Sequence, residues 1–370
     1  MGRLNDLEKL GQAIWLDFID RKLLKEGGLK KLVDEDGISG VTSNPSIFEK
    51  AMGHGDAYDS ALAAFDKAHP DASAMARYEH LAIQDIQEAA DTLRPVYDKL
   101  QAKDGYVSME VSPYLANDTD GTRAEAARLW KEVDRPNLMV KIPGTAAGVP
   151  AIAASIADGI NINVTLLFAI EAYKAVAMAF VEGLEARVAA GKPIDTIASV
   201  ASFFVSRIDT KIDDEIDAGT GGEEAKALKG KVAIANAKVA YAWYQDFIRS
   251  DRWKALAAKG AMPQRLLWAS TGTKNADYSD VLYLDTLIGP DTVNTVPPKT
   301  LDAFRDHGAA AETLTQDVDG AHKVLADAER LGLDLDGVTS TLVEEGVASF
   351  SKAFDELLAA IAAKHPAEAN

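Results

Sequence analysis

The chain has no cysteine in its 370 residues, which excludes disulfides, thiolate metal sites and cysteine nucleophiles and agrees with a reducing, cytoplasmic location. Histidine is scarce too. The six are scattered without an HxH or HExxH arrangement, and His69 and His80 are too far apart to share a helix face at ligand spacing. No apolar run approaches the roughly 18 residues of a membrane span, and the N-terminus has no apolar signal core. Positive charge is in short supply: 39 Lys and Arg face 57 Asp and Glu, for a net charge of −18. No basic run exceeds Lys30-Lys31, which argues against nucleic acid as a partner and means that an anionic ligand needs local cations.

What is present reads as a globular protein, 47% hydrophobic and 26% charged, large enough for one big core. No linker, internal repeat or low-complexity tract divides it, so a single domain over residues 1–370 is expected. Eight short apolar or β-branched runs recur, at residues 13–18, 37–42, 106–111, 137–142, 160–166, 197–204, 265–270 and 291–296, most followed by a helical stretch. Runs that are continuously apolar suit strands buried on both faces, and eight strand–helix units predict an α/β fold, a (β/α)8 TIM barrel. The rival, a doubly wound open sheet, lacks a GxGxxG turn after an early strand. Helices are expected over 71–103 and 118–133, in a helical insertion at about 209–262, and near 313–331 and 339–364. Within the insertion Gly219 to Gly222 reads as a mobile break before a helical run from Glu223 to Trp253. The C-terminal helices could pack on the barrel or on a second subunit, leaving monomer and homodimer open.

In such a barrel chemistry belongs at the C-terminal strand ends, and polar groups gather there. Asp17 ends the first run, Thr42 to Ser46 the second, Glu110 the third, Lys141 the fourth, Asn163 and Thr165 the fifth. Ser202, Phe204 and Arg207 follow on the sixth, Ser270 and Lys274 on the seventh. Lys141 and Glu110 stand out, because a charge inside an apolar strand needs a partner or a purpose. Desolvation disfavours an ammonium, so a buried lysine can present a free amine to a carbonyl carbon. An amine nucleophile, two carboxylates, several hydroxyls and amides and two cations fit imine chemistry on a phosphorylated sugar. Each residue also has a plain structural reading: Asn44 before Pro45 as a turn, Asp17 and Thr165 as helix caps, Arg207 paired with Asp209 or Asp213.

Five segments, residues 40–46 (GVTSNPS), 108–111 (SMEV), 139–143 (MVKIP), 162–168 (INVTLLF) and 201–207 (ASFFVSR), resemble those of the transaldolase family, in the family's order. The length and residues 268–274 (WASTGTK) resemble its longer bacterial branch, related to the transaldolase part of fusions with phosphoglucose isomerase, with no room here for the fused enzyme. The resemblance implies a class I aldolase-type barrel that moves a dihydroxyacetone unit between sugar phosphates in the pentose phosphate pathway. It makes Lys141 the Schiff-base lysine and Glu110 an acid/base acting through a water held with Thr165. Asp17 becomes the acid/base at the carbon–carbon bond. It also implies that Thr42, Asn44, Asn163 and Ser202 hold the dihydroxyacetone part and that Arg207 and Ser270 touch phosphate. No metal or organic cofactor is called for, because the imine is itself the electron sink. One departure concerns phosphate: the short family form has an arginine two residues after the serine matching Ser270, whereas here the loop is longer and offers Lys274. Family aldolases that release dihydroxyacetone, acting on fructose 6-phosphate, are expected to carry a tyrosine near the catalytic water, and Phe204 with Glu110 favours the transferase. A non-catalytic sugar-phosphate-binding barrel is the remaining alternative.

Overall fold

A computed structural model describes residues 2–364. Eight parallel strands close in sequence order into a barrel: β1 (Gln12–Leu16), β2 (Gly40–Val41), β3 (Tyr106–Glu110), β4 (Leu138–Pro143), β5 (Ile162–Leu167), β6 (Ser199–Phe204), β7 (Arg265–Ala269) and β8 (Thr292–Val296). The ring closes where β1 runs beside β8, from Gln12 opposite Thr292 to Leu16 opposite Val296. The architecture is the expected (β/α)8 barrel, and each expected strand is present. Strands β4, β5, β6 and β8 are buried at every position, as parallel strands covered by helices must be.

The second strand is shorter than its apolar run suggests. Gly37 is spent on the left-handed cap (φ 72°) that ends the helix Gly28–Asp36, so pairing begins only at Gly40. Gly40 lies opposite Trp15, and a Cβ built on it would stand 2.4 Å from the indole ring. That ring cannot retreat, because its Nε1–H donates to Asp104 at 2.9 Å. We predict that Gly40→Ala destabilises the protein by about 1–3 kcal/mol through overpacking. The measurement is a urea midpoint, and an unchanged midpoint would contradict the account.

The run from Glu223 to Trp253, expected as one helix, is broken. A short helix Gly222–Ala225 and a 3-10 turn Lys226–Leu228 lead to Gly230 in the left-handed region (φ 69°). The chain then forms the helix Val232–Phe247 and, after the Ser250 cap, the helix Asp251–Ala257. The break has a tertiary cause: the Gly230 amide donates to Asp213 at 3.1 Å, and a Cβ there would lie 2.8 Å from the Tyr278 ring. The other expected helices are present, three with trimmed ends as Ala74–Lys99, Thr119–Val133 and Val318–Arg330, and the last beginning four residues earlier than expected, as Leu335–Ala363. The last of these lies across the barrel's own C-terminal mouth. Its Phe350 lines the central cavity, and its Gly346 packs so closely on Leu166 of β5 that a Cβ would meet that side chain at 2.7 Å.

Candidate active site

At the C-terminal end of the barrel a cavity of about 500 Å³ opens. Asp17, Thr42, Asn44, Lys141, Thr165, Ser202, Phe204, Arg207, Ser270 and Lys274 line it, which brings ten of the twelve expected residues to one space. The other two stand just behind the wall: Glu110 against Lys141, and Asn163 against Ser202.

Register explains the first contact. Glu110 and Lys141 are Cα partners on β3 and β4, so their side chains emerge side by side. The Lys141 ammonium lies 2.8 Å from Glu110 Oε1, with the two side chains only 6% and 10% exposed. This is an ion pair without good hydrogen-bond alignment, and the directed bond of the ammonium goes to the Ser43 carbonyl oxygen at 2.9 Å. Burial raises the Glu110 carboxyl above its ordinary range, the Lys141 charge opposes that rise, and Asp17 adds to it.

Thr165 follows on β5, beside Pro143 of β4. The β5–β6 register slips between Val164 and Leu167, and Leu166 takes a positive φ of 58°. A bulge of this kind re-aims a side chain at a strand end. Thr165 Oγ1 is buried with no hydrogen-bond partner among the described residues, while its residue, with Glu110 and Lys141, borders a small void beside the main cavity. A buried hydroxyl left without a partner is costly, which makes it a place where a bound molecule would be held.

Asp17 sits just past β1, its amide tied to Val296 at 2.9 Å. The Thr42 hydroxyl donates to its carboxylate at 2.7 Å, and Thr42 Oγ1 stands 2.5 Å from Thr295 Oγ1. Burial raises Asp17 above its ordinary value, against the pull of Lys141, the Thr42 bond, Arg207 and Lys274. The cap reading of Asp17 and Thr165 therefore fails. That of Asn44 holds: its Oδ1 accepts from the Ile47 amide at 2.9 Å, starting the helix Pro45–Gly53, and the residue still faces the cavity. Asn163 is bridged, donating to Ser108 Oγ at 3.0 Å and accepting from Ser202 at 2.7 Å.

The cations have a consistent arrangement. Arg207 does not pair with Asp209 or Asp213, whose carboxylates turn to Tyr283 and Tyr278. Its guanidinium lies over the Phe204 ring, 5.2 Å from the centroid, and burial draws it below its usual value. Every other arginine among the described residues bonds a carboxylate or a carbonyl, so Arg207 alone faces the cavity with its donors free. Ser270 takes a positive φ of 55°, and its Oγ lies 2.9 Å from that of Ser206. Lys274 is exposed on the loop beyond it, on the cavity's edge.

Sequence reasoning missed Thr295, Lys50, Phe18 and Phe350 in the lining, and the Ser43 carbonyl that holds Lys141. Thr295 had a signal: it is a polar residue near the C-terminal end of β8, as the other site residues are on their strands.

Over residues 14–361 the chain matches the family Transaldolase/Fructose-6-phosphate aldolase. It is 50% identical over 361 residues to a transaldolase of Thiobacillus denitrificans, covering 98% of this chain and 100% of that one. A transaldolase of Thermobifida fusca is 49% identical over 360 residues, with 97% of each chain covered. A third, from Trichodesmium erythraeum, is 48% identical over 364 residues, covering 96% of this chain and 95% of the relative. By fold, by the groups gathered at the barrel mouth and by sequence over nearly its full length, the chain belongs to the transaldolase/fructose-6-phosphate aldolase family.

Proposed function

We propose that the protein is a transaldolase, passing a dihydroxyacetone unit between sugar phosphates by way of an imine on Lys141. Sedoheptulose 7-phosphate and glyceraldehyde 3-phosphate would give erythrose 4-phosphate and fructose 6-phosphate. The observation that carries the reading is the buried Lys141–Glu110 pair at a cavity lined by one arginine, the half-buried Arg207, which has no hydrogen-bond partner among the described residues.

The steps follow from those positions. Glu110 takes a proton from the Lys141 ammonium, and the free amine adds to the ketone carbon. Glu110, through a water held at Thr165 Oγ1, returns a proton to the carbinolamine oxygen, which leaves as water. Asp17 then removes the proton of the hydroxyl β to the imine carbon. The carbon–carbon bond breaks, its electron pair entering the enamine, and the first aldehyde departs. Adding the acceptor aldehyde reverses this sequence. Thr42, Asn44 and Ser202 hold the hydroxyls of the three-carbon unit, with Asn163 orienting Ser202 from behind the wall, while Arg207, Ser270 and Lys274 hold phosphate.

The competing reading is an aldolase that releases dihydroxyacetone. Phe204 favours the transferase: it is 7% exposed, packed 5.2 Å from Phe168 by ring centroids, and a phenyl ring there can neither bind nor activate water. Turnover of fructose 6-phosphate measured with and without erythrose 4-phosphate separates the two. Dependence on the acceptor is expected, and turnover independent of it would reject the transaldolase reading.

The phosphate contacts give a graded prediction. Losing a charge-assisted hydrogen bond costs about 1.5–3 kcal/mol, so Arg207→Ala is expected to raise KM for fructose 6-phosphate roughly 10- to 100-fold. Lys274 is a point charge on an exposed loop, and Lys274→Met is expected to raise it only about 3- to 10-fold. An unchanged KM in the second variant would remove Lys274 from the site.

A further inference from the structure

The helix Ser206–Asp217, which carries Arg207, also buries two carboxylates one turn apart, Asp209 and Asp213, at 1% and 7% exposure. Neither meets a cation at hydrogen-bonding distance among the described residues. Asp209 accepts from the Ala233 amide at 2.8 Å and the Tyr283 hydroxyl at 2.9 Å. Asp213 accepts from the Gly230 amide at 3.1 Å and the Tyr278 hydroxyl at 2.5 Å. Burying acids on tyrosines and amides costs stability, and burial raises Asp209 to about 7. Such a costly arrangement calls for a use.

Both tyrosines belong to the connection from β7 to β8, the segment that supplies Ser270 and Lys274. The connection is fastened to the Arg207 helix at three points. At its start the Ser206 amide donates to the Ser270 carbonyl at 3.1 Å and the two hydroxyls touch. In its middle Tyr278 reaches Asp213, and at the helix Leu282–Asp285 Tyr283 reaches Asp209. Lys274 lies between the first two fastenings, on a stretch with no helix or strand to fix it. Gly230 completes the seat, since only a residue without Cβ leaves room for the Tyr278 ring.

We propose that Tyr278 and Tyr283, bound to Asp213 and Asp209, are positioning residues that hold the Ser270–Lys274 loop against the Arg207 helix and so set the affinity for the phosphate end of the sugar. The proposal rests on the phosphate roles given above. It asks nothing of the reacting atoms, which lie on other strands. Tyr278→Phe removes one hydroxyl and keeps the ring. The expected result is a 5- to 20-fold rise in KM for fructose 6-phosphate and in the inhibition constant of inorganic phosphate, with kcat at saturation kept within about twofold. Gly230→Ala, which displaces the ring but leaves its hydroxyl, should shift both constants in the same direction. Unchanged constants in both variants, or a fall in kcat without a change in KM, would overturn the clamp. The reading of Lys274 is tested apart from it by Lys274→Met: the clamp is judged on inorganic phosphate, whose binding also depends on Arg207 and Ser270.

Discussion

Replacing Lys141 by methionine is expected to lower kcat by at least about 10⁴-fold and to abolish borohydride trapping of fructose 6-phosphate on the protein. Methionine keeps the length and the apolar stem and removes only the amine, so the cavity wall should persist. Its cost falls on Glu110, whose buried carboxylate loses its counter-charge; breaking one side of a buried pair costs about 3–5 kcal/mol unless the remaining group neutralises itself. The Glu110 carboxyl is already raised by burial, and removing the Lys141 charge that opposes that rise should move it further up and favour its protonated form. The variant should therefore fold, with a stability deficit that shrinks as the pH is lowered. Peptide mass mapping makes the experiment sharp, because Lys50 and Lys274 also line the cavity. A borohydride adduct in the wild-type protein on either of these, or residual turnover within tenfold of wild type in Lys141→Met, would overturn the mechanism.

Most of this was legible in the sequence for a physical reason. Strands covered by helices on one side and filled by a packed interior on the other must be apolar throughout, so the eight runs stand out, and a charge within one is conspicuous. Lys141 and Glu110 were visible for that reason, and parallel pairing of neighbouring strands was enough to bring them together. The parts that could not be read depend on contacts across long sequence distances. Phe350 reaches the cavity because the Leu335–Ala363 helix lies over the barrel mouth, and no local pattern says where a C-terminal helix will dock. The Ser43 carbonyl that holds Lys141 is a backbone atom and has no signature at all. The broken helix at Gly230 depends on Asp213 and Tyr278, 17 residues before it and far along the chain beyond it. Periodicity reports a continuous face there, and the tertiary contact overrides it.

Asp17→Asn is the second large effect, and it divides the reaction in two. If Asp17 acts only at the carbon–carbon bond, imine formation should proceed with Lys141 and Glu110 intact. The variant is then expected to lose about 10²- to 10⁴-fold in kcat, the usual worth of a positioned acid or base, while borohydride still traps the donor ketose at the wild-type rate. Glu110→Gln should do the reverse and slow trapping itself; equal trapping defects in both variants would merge the two roles and refute the division. The pH dependence follows the same carboxyl. Asp17 must be ionised to take the hydroxyl proton, and burial raises its pKa, so activity falls with decreasing pH at a point above the ordinary carboxylate range. For stability the sign is opposite. A raised pKa in the folded state means that folding favours the protonated form, so the stabilisation is full below the unfolded pKa of about 3.9 and is lost as pH rises through the folded value. At neutral pH the buried carboxylate is a net cost that asparagine does not carry, and the Thr42 hydroxyl can still donate to the amide oxygen. Asp17→Asn should thus melt higher than wild type at pH 7.5, with the gap closing on acidification; a lower Tm at pH 7.5 would mean that the attraction of Lys141, Arg207 and Lys274 outweighs burial. An inactive variant that is more stable is what a group kept in place for its chemistry predicts.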